Sequence, residues 1–104
     1  MRQKKLTPEG AITKEIRYVL RLYGVMHWKV FQSLGSEKGV SDIIAVEKKT
    51  GRIVAIEVKA PRGKLSPAQD NFLKLIEANG GIAIVARSAM DVIQRLGLSP
   101  RTNQ

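Results

Sequence analysis

Ser41-Asp42-Ile43-Ile44-Ala45-Val46-Glu47-Lys48-Lys49-Thr50-Gly51-Arg52-Ile53-Val54-Ala55-Ile56-Glu57-Val58-Lys59 is a pair of apolar, β-branched runs joined by a short polar loop that ends in glycine. That pattern reads as a β-hairpin, with strands over residues 42–47 and 52–59 and Lys48-Lys49-Thr50-Gly51 as the connection. Side chains alternate between faces along a strand, so Ile53, Ala55, Glu57 and Lys59 share one face. Val54, Ile56 and Val58 take the other. The first face is apolar until its end, where an acid and a lysine stand together. With Lys48 to Gly51 as the loop, Glu47 pairs with Arg52, and counting back sets Asp42 opposite Glu57. Opposed residues have Cα atoms about 4.5–5.5 Å apart and side chains on one face. Like charges so placed destabilise a sheet unless something offsets their repulsion. A divalent cation does so, and hard cations such as Mg²⁺ prefer carboxylate and carbonyl oxygens. The alternative is another register, in which Asp42 merely begins a strand after Gly39-Val40-Ser41.

Working outward, Thr7-Pro8-Glu9 is a helix start, with an N-cap, proline at the first helical position and an acid in the first turn. Ile12, Ile16, Val19, Leu20 and Tyr23 then form a helical stripe closed by Gly24. Residues 25–31 favour a strand, and residues 32–40, with Gly35 and Gly39, a loop. Downstream, Pro61-Arg62-Gly63-Lys64 is a basic loop, and Ser66-Pro67-Ala68-Gln69 is a capping box that opens a helix ending at Asn79-Gly80-Gly81. Residues 82–86 are continuously apolar, as suits a central strand covered on both faces. A last short helix runs from Ser88 to Gly97, and residues 99–104 are expected to fray. The element order is α-β-β-β-α-β-α. The expected fold is a mixed α/β sheet flanked by helices.

The chain has 104 residues, room for a single domain, with a basic arm at residues 1–5. Its 43% hydrophobic content supports one modest core and excludes wholesale disorder. The absence of cysteine excludes disulfide scaffolds, thiolate zinc sites and cysteine nucleophiles, and a single histidine excludes multi-histidine metal sites. No apolar run approaches a membrane span and no signal-like stretch follows Met1. The expected location is therefore cytoplasmic, or inside an infected host cell if the source is viral. Eighteen Lys and Arg against nine Asp and Glu leave a net charge of +9. So large an excess on so small a surface favours polyanion partners, chiefly nucleic acid. Lys48, Lys49, Arg62 and Lys64, in loops expected to flank the acidic cluster, are the candidate DNA contacts.

Two further residues stand out. Glu15 lies three after Ile12 and four before Val19, on the apolar stripe of the first helix. It is either a functional acid or a stripe-edge glutamate that snorkels to solvent beside Lys14 or Arg17. Gln69 occupies the third position of a capping box, a structural reason sufficient in itself, yet it also lies close to Lys59 in sequence. His27 and Trp28 alternate on a strand and read as packing residues.

Taken together, Gly39-Val40-Ser41-Asp42-Ile43-Ile44, Ile56-Glu57-Val58-Lys59 and Leu65-Ser66-Pro67-Ala68-Gln69 resemble the VRR-NUC branch of the PD-(D/E)xK nucleases. The resemblance runs from the first helix to Ser88. It implies a restriction-endonuclease-like core in the order α-β-β-β-α-β, here with a short C-terminal helix added. It also implies a Mg²⁺- or Mn²⁺-dependent endonuclease, with Asp42, Glu57 and the backbone carbonyl of Val58 as metal ligands. Lys59 would be the catalytic lysine, Glu15 would reach the metal shell from the helix, and Gln69 would hydrogen-bond at the active site. Ser41 stands where the superfamily has proline, a position that supplies backbone geometry and no ligand. Ala86 falls in the stretch that gives the family its Val-Arg-Arg name, which leaves Arg87 as the arginine for a phosphate contact. Small stand-alone members resemble Holliday-junction resolvases, which implies branched DNA as substrate and a homodimer. The alternative is a non-catalytic nucleic-acid-binding module on the same fold. Against it, a pure binder has no use for opposed acids beside phosphate.

Overall fold

The computed structural model describes residues 6–31 and 37–99; the basic arm, residues 32–36 of the expected loop and the tail from residue 100 lie outside the described residues. In chain order the elements are α1 (Pro8–Leu22), β1 (His27–Lys29), β2 (Ile43–Val46), β3 (Ile53–Val58), α2 (Pro67–Ala78), β4 (Ile82–Ala86) and α3 (Ala89–Leu96). The order α-β-β-β-α-β-α is the one the sequence implies.

The hairpin has the expected register. β2 and β3 are antiparallel with Ile43 opposite Ile56 and Val46 opposite Ile53, which continues to Asp42 opposite Glu57. The loop closes through Gly51 N to Glu47 O at 2.8 Å and Glu47 N to Arg52 O at 2.9 Å, with Gly51 at φ +76, a conformation that glycine adopts without strain. β1 pairs antiparallel with β2, and β4 pairs parallel with β3, giving the sheet order β1-β2-β3-β4. The regular part of β1 is shorter than expected. Its ladder nevertheless extends through Val46 N to Met26 O and Val30 N to Asp42 O.

The expectation that residues 82–86 form a central strand is corrected, because β4 lies at the edge of the sheet. Its apolar character has another cause: α2 packs on one of its faces and α3 on the other. Strand alternation sorts the core in two. Val54, Ile56 and Val58 join Ile16, Leu20 and Val92 beneath α1 and α3, whereas Ala55 and Ile44 pack with Leu73 beneath α2. Ile56 is fully buried, and its truncation to alanine is expected to cost about 2–5 kcal/mol. Asp42 and Glu57 continue the α2 face beyond its apolar part. No helix among the described residues is long and apolar enough to cross a membrane.

Candidate functional site

Asp42 stands one residue before β2, where regular pairing has not yet begun. Its Oδ2 accepts a hydrogen bond from the Val58 N–H at 2.7 Å, which fixes the carboxylate at the mouth of the hairpin. A strand residue's N–H and C=O point to the same neighbour, so the Val58 carbonyl faces this side as well. Glu57 is only 2% exposed. Its Oε2 accepts from Gln69 Nε2 at 3.2 Å, while its Oε1 is buried and unpartnered. Burial first, then hydrogen bonding with Asp42 and the charge of Asp42, push the Glu57 carboxyl from its usual 4.5 up to about 8. Lys59 pulls it down, and Glu9 adds a further upward push.

This titration predicts how stability follows pH. Unfolded, Glu57 ionises near its ordinary 4.5; folded, it keeps its proton up to about 8. Between these values the folded state binds more protons than the unfolded one, so stability falls as pH rises through the window. The metal-free protein should therefore lose melting temperature between about pH 5 and 8, and Glu57→Gln should flatten most of that slope. Identical slopes in wild type and variant, followed by thermal melts across that range, would mean that Glu57 ionises normally.

Gln69 serves two partners with the two halves of its amide. Its Oε1 accepts from Ser66 N at 2.9 Å to complete the capping box, and its Nε2 donates to Glu57. The box is closed by Ser66 Oγ accepting from Gln69 N. The start of α2 is in turn set against the loop before Asp42. Gly39 has φ +82, and a Cβ there would fall 2.3 Å from Ala68 O, so only glycine allows this approach.

Lys59 follows Glu57 by two residues and shares its face of the strand, with its backbone N–H held by Ala86 O at 3.0 Å. The acid that α1 brings to this end of the sheet is Glu9. Its Oε2 accepts from Ala60 N at 3.4 Å, and its charge is felt by Glu57. Glu15 is placed elsewhere: its side chain is exposed and borders a shallow apolar depression with Leu6, Ala11 and Tyr18.

Arg87 Nη1 donates to three carbonyls, Ala60 at 2.6 Å, Gly63 at 2.9 Å and Pro61 at 3.2 Å. It thereby pins the basic loop that carries the exposed Arg62 and Lys64 and follows directly on Lys59. Backbone exchange over residues 62–64 should accelerate in Arg87→Ala, measured by hydrogen–deuterium exchange. Unchanged exchange would detach Arg87 from the loop. Lys48 and Lys49 are exposed at the hairpin tip, the opposite end of β3 from Glu57, so the structure does not bring them to the acidic cluster.

Asp42, Glu57 and Gln69 open into a cleft of about 590 Å³ with Lys38, Gly39, Val40 and the first turn of α2. A larger concavity of about 620 Å³ lies at the hairpin tip, between Leu22, Lys48 and Leu96. The paired acids are not there. Among the described residues no three histidine or acidic side chains converge to hold an ion unaided. The buried Glu57 with its unpartnered Oε1, the half-buried Asp42 opposite it and the Val58 carbonyl on the same side nevertheless fit a hard cation. Mg²⁺ usually binds through one or two carboxylates and keeps waters or substrate oxygens for the rest.

The sequence model of the VRR-NUC domain family matches residues 3–90. A solved structure named VRR_NUC domain is similar in fold, with a TM-score of 0.72 and 23% identity, covering 88% of this chain and 96% of its own. A second, named VRR_NUC domain protein, has a TM-score of 0.65 and 21% identity, with 93% of each chain covered. Among curated proteins nothing matches significantly. At these identities the structures establish the fold alone, whereas the family match spans most of the chain. The chain belongs to the VRR-NUC family of nuclease-type domains.

Proposed function

We propose that the protein is a metal-dependent DNA endonuclease that hydrolyses a phosphodiester bond, with Asp42, Glu57 and the Val58 carbonyl holding Mg²⁺ or Mn²⁺. The observation that carries this reading is the buried Glu57 carboxyl, set opposite the half-buried Asp42 and held protonated to about pH 8 by burial and by Asp42, with one oxygen left unpartnered; a bound cation would offset the charge of both carboxylates. When bound, such a cation polarises the scissile phosphate and lowers the pKa of a water molecule.

The chain's own residues do the rest. Lys59 presents a compact ammonium beside Glu57 to orient the attacking water and to offset charge on the pentacovalent transition state. Gln69 holds Glu57 at one oxygen and leaves the other free. Glu9, the α1 acid that reaches this end of the sheet, completes the acidic environment in the place the sequence reading gave to Glu15. Arg62 and Lys64, with the loop fixed by Arg87, supply positive charge for the phosphate backbone.

The same reading takes branched DNA as substrate, such as a four-way junction cut by a homodimer. The exposed Leu6, Tyr18 and Leu22 on and before α1 support association through that helix. The test is incubation with branched and linear DNA in Mg²⁺, in Mn²⁺ and in EDTA. Cleavage in either metal, stronger on branched DNA and absent in EDTA, is expected. DNA binding with no cleavage in any metal would assign the chain to a non-catalytic binding module.

A further inference from the structure

On the face of the sheet opposite α2, Lys14, Arg17 and Arg21 recur at helical spacing along one side of α1, and Lys29 of β1 stands across from them. With Gly10 and Thr13 they line a cleft of about 160 Å³ in which four of the six lining residues are cationic and none is acidic. The ion pair among the described residues joins Lys74 and Asp70 on α2, so these four cations have no carboxylate partner there. Arg17 Nε is in addition buried without any hydrogen-bond partner. Lys29 Nζ lies 4.5 Å from the centroid of the Phe31 ring, a contact that steadies the ammonium.

A merely solvated basic face spreads its charges outward and leaves its guanidinium nitrogens wet. Here four unpaired cations line one concavity, and one of them, Arg17, has its Nε withdrawn from water without a partner, an arrangement answered by a ligand bearing several spaced anionic oxygens. Lys14 to Arg21 rises about 10 Å along the helix. That length spans about three phosphate steps of one DNA strand, which advance about 3.4 Å each along the duplex axis. Gly10, at one end of the cleft, adjoins Glu9, so the cleft leads away from the acidic cluster along α1.

We propose that this cleft is a second phosphate-binding site that grips the DNA backbone away from the bond being cut. The identity of the polyanion rests on the nuclease reading; the site itself rests on the cleft. Contacts of this kind position DNA without reading its sequence.

The test compares two double variants that lower net charge equally, Arg17→Gln/Arg21→Gln in the cleft and Lys74→Gln/Arg95→Gln on other helices. Duplex DNA binding is measured in EDTA across a salt series, followed by cleavage kinetics in Mg²⁺. Each lost phosphate contact should reduce the salt slope by about 1, so the cleft pair should lose about 2 and bind roughly tenfold more weakly at moderate salt. The control pair should change little. In cleavage, the cleft pair should raise KM and leave kcat near wild type. Equal slopes for the two pairs would overturn the proposal, and so would a cleft-specific loss seen with duplex RNA and not with DNA. Should the Arg17 variant fail to fold, Lys14→Gln/Lys29→Gln takes its place with the same expected and contrary outcomes. Binding is read without metal, so absent cleavage would sink the nuclease reading and leave this result standing.

Discussion

Lys59→Ala is expected to abolish cleavage while the fold and most DNA affinity persist. The Lys59 backbone bond to Ala86 O is indifferent to the side chain, and its half-buried stem runs past Gly63 without filling the core. Net charge falls only from +9 to +8, one contact in a distributed basic surface. What disappears is the ammonium beside Glu57, and loss of a charge that acts on the transition state typically costs about 10²–10³ in kcat. Lys59→Arg should also be poor, because a planar guanidinium does not replace a compact ammonium in a crowded site. Single-turnover rates with unchanged DNA affinity are the readout. Wild-type turnover by the alanine variant would remove Lys59 from the mechanism.

Asp42→Asn should be equally damaging to cleavage and should do the opposite to binding and stability. Asparagine keeps an oxygen to accept from the Val58 N–H, so the hairpin mouth is preserved. It removes the negative charge that opposes ionisation of Glu57, so Glu57 ionises more readily, and above about pH 8, where both wild-type carboxylates are charged, it raises metal-free stability by roughly 0.2–1 kcal/mol. With one negative charge gone near the phosphates, affinity in EDTA should hold or rise. Mg²⁺ should raise the melting temperature of wild type and leave that of the variant where it was. Unchanged cleavage in Asp42→Asn would exclude Asp42 as a ligand.

How much of this was legible beforehand differs from residue to residue, for physical reasons. The Asp42–Glu57 opposition followed from strand alternation and a short glycine-closed loop, because a hairpin of that length admits few registers. Gln69 was visible through its capping box, and the second hydrogen bond expected of it at the acidic cluster is the one its amide nitrogen donates to Glu57. Glu9 was hidden by its own good local explanation, an acid in the first turn of a helix. The signal was nonetheless present. The buried stripe of α1 is Thr13, Ile16 and Leu20, and stepping back four from Thr13 or seven from Ile16 arrives at Glu9. Glu15 falls about 100° from Ile16 and so faces solvent. The placement of Lys48 and Lys49 follows once the hairpin is drawn to scale, since a loop at one end of a strand cannot flank a residue at the other. The edge position of β4 was not legible, because an apolar run reports covered faces and says nothing of the neighbour beside it.

The most direct measurement is anomalous scattering from crystals of the protein soaked in Mn²⁺. The expected result is a single-site or paired peak in contact with the Asp42 and Glu57 carboxylates, lost in Asp42→Asn crystals soaked in the same way. No peak at that position at saturating Mn²⁺, with both carboxylates still side by side, would contradict a metal centre built on this pair.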